Sequence, residues 1–304
     1  MGPSRLAQPY AAGVHARPGW FDAELFPFTS RWLDLDGHAV HYVDEGSGPT
    51  LLMLHGNPTW SFLYRRLISG LRDGFRCLAL DYPGFGLSTA VPGYGFTVAE
   101  HCRLVRRFVE VLDLTEVTPV VQDWGGPIGM GAAIRDPDRY AGFVIGNTYA
   151  WPSLSPDKAI LSALMGNRVV GELVNKRLNL FVGRMLPVMM QRTLSDAELA
   201  MYRGPFPTAA SREPVRVLPR EIRTAGPFLA RLEDGLPRVT DKPALLLWGE
   251  QDIAFKEPER RRWQSLLTHR RDHTLHDAGH FWPDDAGEQA AQVIRDWWAT
   301  DRSD

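Results

Sequence analysis

Hydrophobic and polar positions along the chain change rhythm twice. In "RWLDLDGHAVHYVDEGSGP" apolar and polar residues alternate on both sides of Asp36-Gly37, predicting a β-hairpin closed by a D-G turn. Continuous apolar runs follow at 50–56, 76–81, 118–122 and 142–147, the pattern of strands buried on both faces of a parallel sheet. Helical periods separate them at 61–71 and 98–112, with a Gly-rich helix starting at 125. From Trp151 to about Gly235 the strand pattern stops, and "SDAE" (195–198) has the spacing of a capping box opening a helix. Alternation then resumes with a strand at 243–249, a helix at 257–267, a last strand and turn in "RDHTLHDAG", and a closing helix at 288–299. The expectation is an α/β fold with a mostly parallel central sheet flanked by helices and interrupted by a helical insert. Its parts are residues 1–149, a lid at 150–235, and 236–304. No internal repeat is present.

Composition narrows the function. Over 304 residues, 44% hydrophobic and 23% charged residues are ordinary globular values. A formal net charge of -2 offers no field for nucleic acid, so a small neutral substrate is expected. Cys77 and Cys102 lack metal or CxxC spacing and read as reduced, buried thiols of a cytosolic protein. The first twenty residues contain no apolar signal core and read as a loosely ordered tail, and no run reaches membrane-span length. The expected location is cytoplasmic. The Leu-, Met- and Val-rich insert supplies a helical core, a lid over a site, and a surface for homo-oligomer contacts.

Candidate chemistry sits where strands end, the ligand edge of an open α/β sheet. His55, Gly56 and Asn57 end the run at 50–54, Asp123 and Trp124 follow 118–122, Asp252 follows 243–249, and His280 follows the last strand. Nucleophile, acid and histidine in that chain order match an α/β-hydrolase. Each residue alone has an ordinary explanation: Asp123 as an N-cap, Asn57-Pro58 as a turn, Trp124 as one core indole of ten, Asp252 as a turn acid, His280 as a loop residue. Their agreement in position and order is what separates them from chance. His269, His273, His276 and His280 recur at helical intervals, but on a strand and turn that spacing does not align side chains. No metal or cofactor is expected.

The motifs "HGNPTWSFLYRRLI", "DYPGFGLS", "VVQDWGGPIGM", "WGEQD" and "DAGHF" resemble haloalkane dehalogenases of the α/β-hydrolase superfamily, from about Phe26 to the end. The resemblance implies Asp123 as nucleophile, His280 as base, Asp252 as its acid, and Trp124 with Asn57 as halide ligands. It implies a small apolar halogenated substrate, water as co-substrate and halide as product. Some subgroups place the acid after the strand preceding the lid. Asn147 stands in that region here, so Asp252 with Asn57 is similar to the subgroup called the third. Against the general elbow G-x-S-x-G, Val121 replaces the first glycine and Asp123 the serine.

An aspartate suits displacement at saturated carbon, forming an alkyl ester that activated water then hydrolyses. A halide leaves as an anion and requires only neutral donors, which an indole N–H and a side-chain amide provide. The backbone N–H groups of Trp124 and Asn57 are the expected holders of the oxyanion of the second step. Trp60 and Trp151 are further candidate contacts that sequence does not place. Epoxide hydrolases share the aspartate, histidine and acid but require acidic lid donors, typically two tyrosines. The insert has Tyr202 alone, with Tyr149 just before it. A silent hydrolase-fold binding protein would be expected to lack part of the Asp123, Asp252 and His280 set.

Overall fold

The computed structural model describes residues 17–152, 156–167 and 169–301. The expected N-terminal tail lies, apart from residues 17–20, outside the described residues. The hairpin forms as read: β1 (Ser30–Leu35) pairs antiparallel with β2 (His38–Glu45) about Asp36, with φ 56°, and Gly37, with φ 87°. The strands β3 (Thr50–Leu54), β4 (Arg76–Leu80), β5 (Thr118–Asp123), β6 (Phe143–Thr148), β7 (Ala244–Gly249) and β8 (Arg270–Leu275) complete one sheet. Its order is β1-β2-β4-β3-β5-β6-β7-β8, parallel from β4 onward. β5, β6 and β7 are buried along their whole length, which is why they read as unbroken apolar runs. The edge strand β8 begins with the exposed "RRD", a charged border that discourages pairing with another sheet.

Helices α1 (Arg65–Leu71), α2 (Val98–Val111) and α3 (Gly125–Ala133) link the first strands. A second capping box, Thr97 with Glu100, starts α2 and is a signal not singled out above. Between β6 and β7 lie α4 (Pro156–Met165), two wide π-helical turns (Glu172–Arg177 and Phe181–Met185), α5 (Leu186–Met189), α6 (Asp196–Arg203), α7 (Glu213–Thr224) and α8 (Gly226–Gly235). The Ser195–Glu198 capping box opens α6 as its spacing predicts. No strand occurs among the described residues of this stretch. α9 (Glu257–Leu266), α10 (Trp282–Asp285) and α11 (Gly287–Asp301) follow.

The insert is fastened to the rest of the chain at one end by charge. Asp284 on α10 is fully buried and accepts from both terminal nitrogens of Arg65 (2.6 and 3.0 Å), from Arg192 Nε (2.7 Å) and from the Tyr202 hydroxyl. Glu198 accepts from the same two arginines, at 2.7 Å from Arg65 and 3.0 Å from Arg192 Nη1. Two guanidinium groups and two carboxylates thus neutralise one another with their lone pairs occupied, the condition under which buried charge is tolerated. The adjacent Asp285 accepts from the backbone N–H groups of Gln191 (2.9 Å), Arg192 (3.3 Å) and Gly279 (2.9 Å), tying the insert to the residue before His280. Asp284→Ala strips Arg65 of its bidentate partner and is expected to lower unfolding free energy by about 3 kcal/mol. Urea titration measures this, and the double variant Arg65→Met/Asp284→Leu is expected to lose less than the single one.

Candidate active site

The elbow at Asp123 exists because two glycines let three strand ends converge. A Cβ on Gly125 would stand 1.9 Å from the Leu54 carbonyl oxygen, and one on Gly126 would stand 1.9 Å from Thr148 Oγ1. With no side chains there, the start of α3 nests between the ends of β3 and β6. The ladder from β5 to β6 shifts register between Gln122 and Asp123, and Asp123 takes φ 51°. That left-handed backbone is uncommon for a residue other than glycine and is held by the surrounding strands.

The turn aims the Asp123 carboxylate at the other corners. The Asn57 N–H donates to its Oδ1 at 2.7 Å, and the Trp124 N–H also donates to the carboxylate. Its Oδ2 lies 3.7 Å from His280 Nε2, too far for a direct hydrogen bond. On the other side of the ring, His280 Nδ1 donates to Asp252 Oδ2 at 3.0 Å. The Ala254 N–H donates to the second oxygen of Asp252 at 2.6 Å. Burial raises the pKa of Asp123 above its ordinary value, opposed by His280 and by the Asn57 and Trp124 N–H groups. Burial alone would lower that of His280, but Asp252, Asp123 and Asp285 outweigh it and the net shift is upward.

Two polar residues complete this arrangement that sequence reading did not single out. Gln122, fully buried, donates through Nε2 to the His280 carbonyl at 2.9 Å, with the same nitrogen 3.2 Å from His280 Nε2. Asn147 had been noted only as a missing carboxylate. Its Nδ2 donates to Asp252 Oδ2 and to the Gly249 carbonyl, both at 3.0 Å, and its Oδ1 accepts from the Gly249 N–H at 2.7 Å. Asn147 thus joins the ends of β6 and β7 and holds the acid that holds the histidine. The only sequence signal for either residue is its position beside a strand end.

Asp123, His280, Asn57 and Trp124 line one cavity of about 230 Å³. Its other walls are apolar: Phe181, Met185, Met189, Pro219 and Ile222 from the insert, and Ile253, Ala254 and Phe255 from the loop after β7. Among the described residues nothing accepts from the Trp124 indole N–H. The Asn57 side-chain amide has a long contact of 3.4 Å to the Val215 carbonyl. Trp60 and Trp151 are elsewhere. Trp60 donates to the Met201 carbonyl within an aromatic cluster, and Trp151 packs on Trp263 beneath Arg262. Among the described residues no tyrosine lines this cavity: Tyr202 is committed to Asp284, and Tyr149 packs between Trp124 and Phe255. The histidines at helical intervals disperse. His276 reaches Glu250 at 2.8 Å, while His280 turns inward to Asp252.

A family model described as alpha/beta hydrolase fold matches residues 49–286. Haloalkane dehalogenase 2 of Mycobacterium tuberculosis is 43% identical over 277 residues, covering 90% of this chain and 96% of that protein. A cis-3-alkyl-4-alkyloxetan-2-one decarboxylase of Shewanella oneidensis is 32% identical over 282 residues, covering 89% and 88%. Among solved structures, haloalkane dehalogenase DbeA from Bradyrhizobium elkani superposes with a TM-score of 0.84 at 26% identity, covering 91% of this chain and 99% of that one.

Because Asn147 and Asp252 touch, the acid can be moved between them. Asp252→Asn is expected to slow turnover by about 10⁴-fold, the scale of loss when the orienting acid of a serine triad is neutralised. The exchange Asn147→Asp/Asp252→Asn is expected to recover at least about tenfold of that loss. Steady-state product formation by the three proteins measures both effects.

Proposed function

The chain belongs to the haloalkane dehalogenase family of the α/β-hydrolase fold, and we propose that Asp123, His280 and Asp252 carry its hydrolytic dehalogenation, with Trp124 and Asn57 receiving the halide. The observation that carries this assignment is a carboxylate with one oxygen held by backbone donors and the other facing a histidine, at the floor of an apolar cavity. Asp123 Oδ2 attacks the carbon bearing the halogen. A carbon–oxygen bond forms, and the carbon–halogen bond breaks with its electron pair leaving on the halide. The developing anion meets the Trp124 indole N–H and the Asn57 amide, strengthened by the low dielectric of the walls.

Hydrolysis of the ester follows. Water between Asp123 and His280 gives a proton to Nε2 and adds to the Asp123 carboxyl carbon. Negative charge gathers on the oxygen that the Asn57 and Trp124 N–H groups already hold. Collapse expels the alkoxide, which takes the proton from His280 and leaves as alcohol, and the Asp123 carboxylic acid left behind releases its proton to solvent to restore the carboxylate. Esterification removes the Asp123 charge, one of the groups raising the His280 pKa. The histidine therefore becomes easier to hold neutral in the intermediate, when it must act as base.

The cavity sets the substrate size. A volume of about 230 Å³ with apolar walls supports a small apolar substrate. Short haloalkanes fit this volume, and the absence of lining tyrosines disfavours an epoxide, whose alkoxide leaving group needs acidic donors. The same reading extends to a cytoplasmic location and to self-association through exposed side chains of the insert such as Val169, Leu173 and Val188. No helix among the described residues is long and apolar enough to cross a membrane.

With 1-bromobutane, the native protein is expected to release bromide and butanol in equal amounts, and Asp123→Asn neither. His280→Phe is expected to release about one bromide per chain and then stop, with intact mass raised by one butyl group. Continued turnover by His280→Phe rejects His280 as base. The pH dependence has a definite sign: the protonated histidine is inactive, so hydrolysis is lost as pH falls through its pKa. The limb belongs to kcat, because His280 acts only on the ester, and it lies below the pKa of the free enzyme's histidine, since esterification removes the Asp123 charge that helps to raise it. Asp252→Asn is expected to move that limb to lower pH while reducing the rate, as halide release in buffers of constant ionic strength would record.

A further inference from the structure

A second and larger cleft, of about 650 Å³, lies between α2, α3 and α8 and shares no lining residue with the active-site cavity. Its shape follows from helical spacing. α2 presents Ala99, Cys102, Arg103 and Arg106, and α8 presents Phe228, Arg231, Leu232 and Gly235. Each set repeats at i, i+3, i+4 and i+7, one face of a helix. Between them α3 offers Gly131, where a Cβ would stand 2.8 Å from Cys102 Sγ and 3.2 Å from Phe228 Cζ. Ile134 and Arg135 follow directly after the end of α3, and Asp234 and Arg238 close the α8 side. Arginines form the walls, and Ile134, Phe228 and Leu232 supply apolar surface within them.

The charge of this cleft runs against that of the chain. Five guanidinium groups and one carboxylate line it, in a protein of net charge -2. Arg106 pairs with Glu110 at 3.0 Å. Among the described residues no carboxylate forms an ion pair with Arg103, Arg135, Arg231 or Arg238. A place near the C-terminal end of α3 accounts for Arg135, because the helix dipole favours a cation there. Arg103 and Arg231 stand in mid-helix without that compensation. The nearest acid preceding Arg103 on its helix, Glu100, is committed to the Thr97 capping box. Like charges in excess over their counter-charges raise the local anion concentration, and low-dielectric walls focus the field. The planar fork of arginine matches phosphate oxygens in pairs, which a carboxylate-poor arginine cleft of ligand size can use.

We propose that this cleft binds a small molecule bearing two or more phosphate groups, its anion held between the α2 and α8 arginines and any apolar part on Phe228, Leu232 and Ile134. The site is independent of the dehalogenation chemistry and stands or falls without it.

Isothermal titration at low ionic strength with pyrophosphate, triphosphate and ATP tests the proposal. One saturable site per chain is expected for at least one of them. ATP binding more tightly than triphosphate identifies a nucleotide-like ligand using the apolar surface, whereas equal affinity identifies a polyphosphate. Arg103→Ser/Arg231→Ser is expected to weaken binding at least about tenfold. Arg135→Ser/Arg238→Ser probes the remaining free arginines and gives the same answer if the first pair perturbs folding. Arg261→Ser, on α9 and paired with Glu257, is expected to change nothing. Absence of saturable binding, or binding equally weakened by Arg261→Ser and by the cleft variants, overturns the proposal.

Discussion

Where the ends of β3, β5 and β6 meet at Gly125 and Gly126, there is no volume for even a methyl group. That contact fixes the entry of α3, which forces the register shift after Gln122 and the left-handed turn at Asp123. The turn in turn presents the carboxylate to the Asn57 N–H and to His280. Steric exclusion at two positions therefore precedes the electrostatics. The pKa directions of Asp123 and His280 and the apolar walls around them all presuppose an elbow that closely seated.

Around the elbow, polar groups are arranged as a chain rather than a triad alone. Asn147 orients Asp252, Asp252 orients the ring of His280, and Gln122 holds the histidine's own carbonyl. The first two links join neighbouring strand ends and the third spans from β5 to the loop after β8, so the rigidity of the parallel sheet is transmitted to a single imidazole. Burial penalises each of these groups, and the bonds between them offset the penalty. A mobile loop with the same residues would have no comparable hold.

Residues that form a motif by themselves were legible in the sequence. D-W-G-G after an apolar run specifies a strand, a tight turn and a helix start, and Asp252 and His280 follow strands strong enough to read. The helical character of the insert was legible too, as was its SDAE cap. Gln122 and Asn147 were not, because their partners lie 158 and 105 positions away and are brought near only by strand pairing. Trp60 and Trp151 could not be placed because an indole in a core and an indole in a cavity have the same local pattern. The arginine cleft was invisible for a related reason: its walls come from α2 and from α8 at the far end of the insert, and a cluster in space leaves no cluster in sequence.

The insert is not fastened evenly, and this has a mechanical consequence. Its stretch from Gln191 to Tyr202 is bolted by Asp284 and Asp285 to α10, and through Gly279 to the histidine loop. The stretch from Phe181 to Met189 meets the cavity through apolar side chains alone. Lifting the first stretch separates buried charges next to the histidine loop, whereas parting the second from the cavity breaks apolar contacts and the bond from Arg203 to the Gly183 carbonyl.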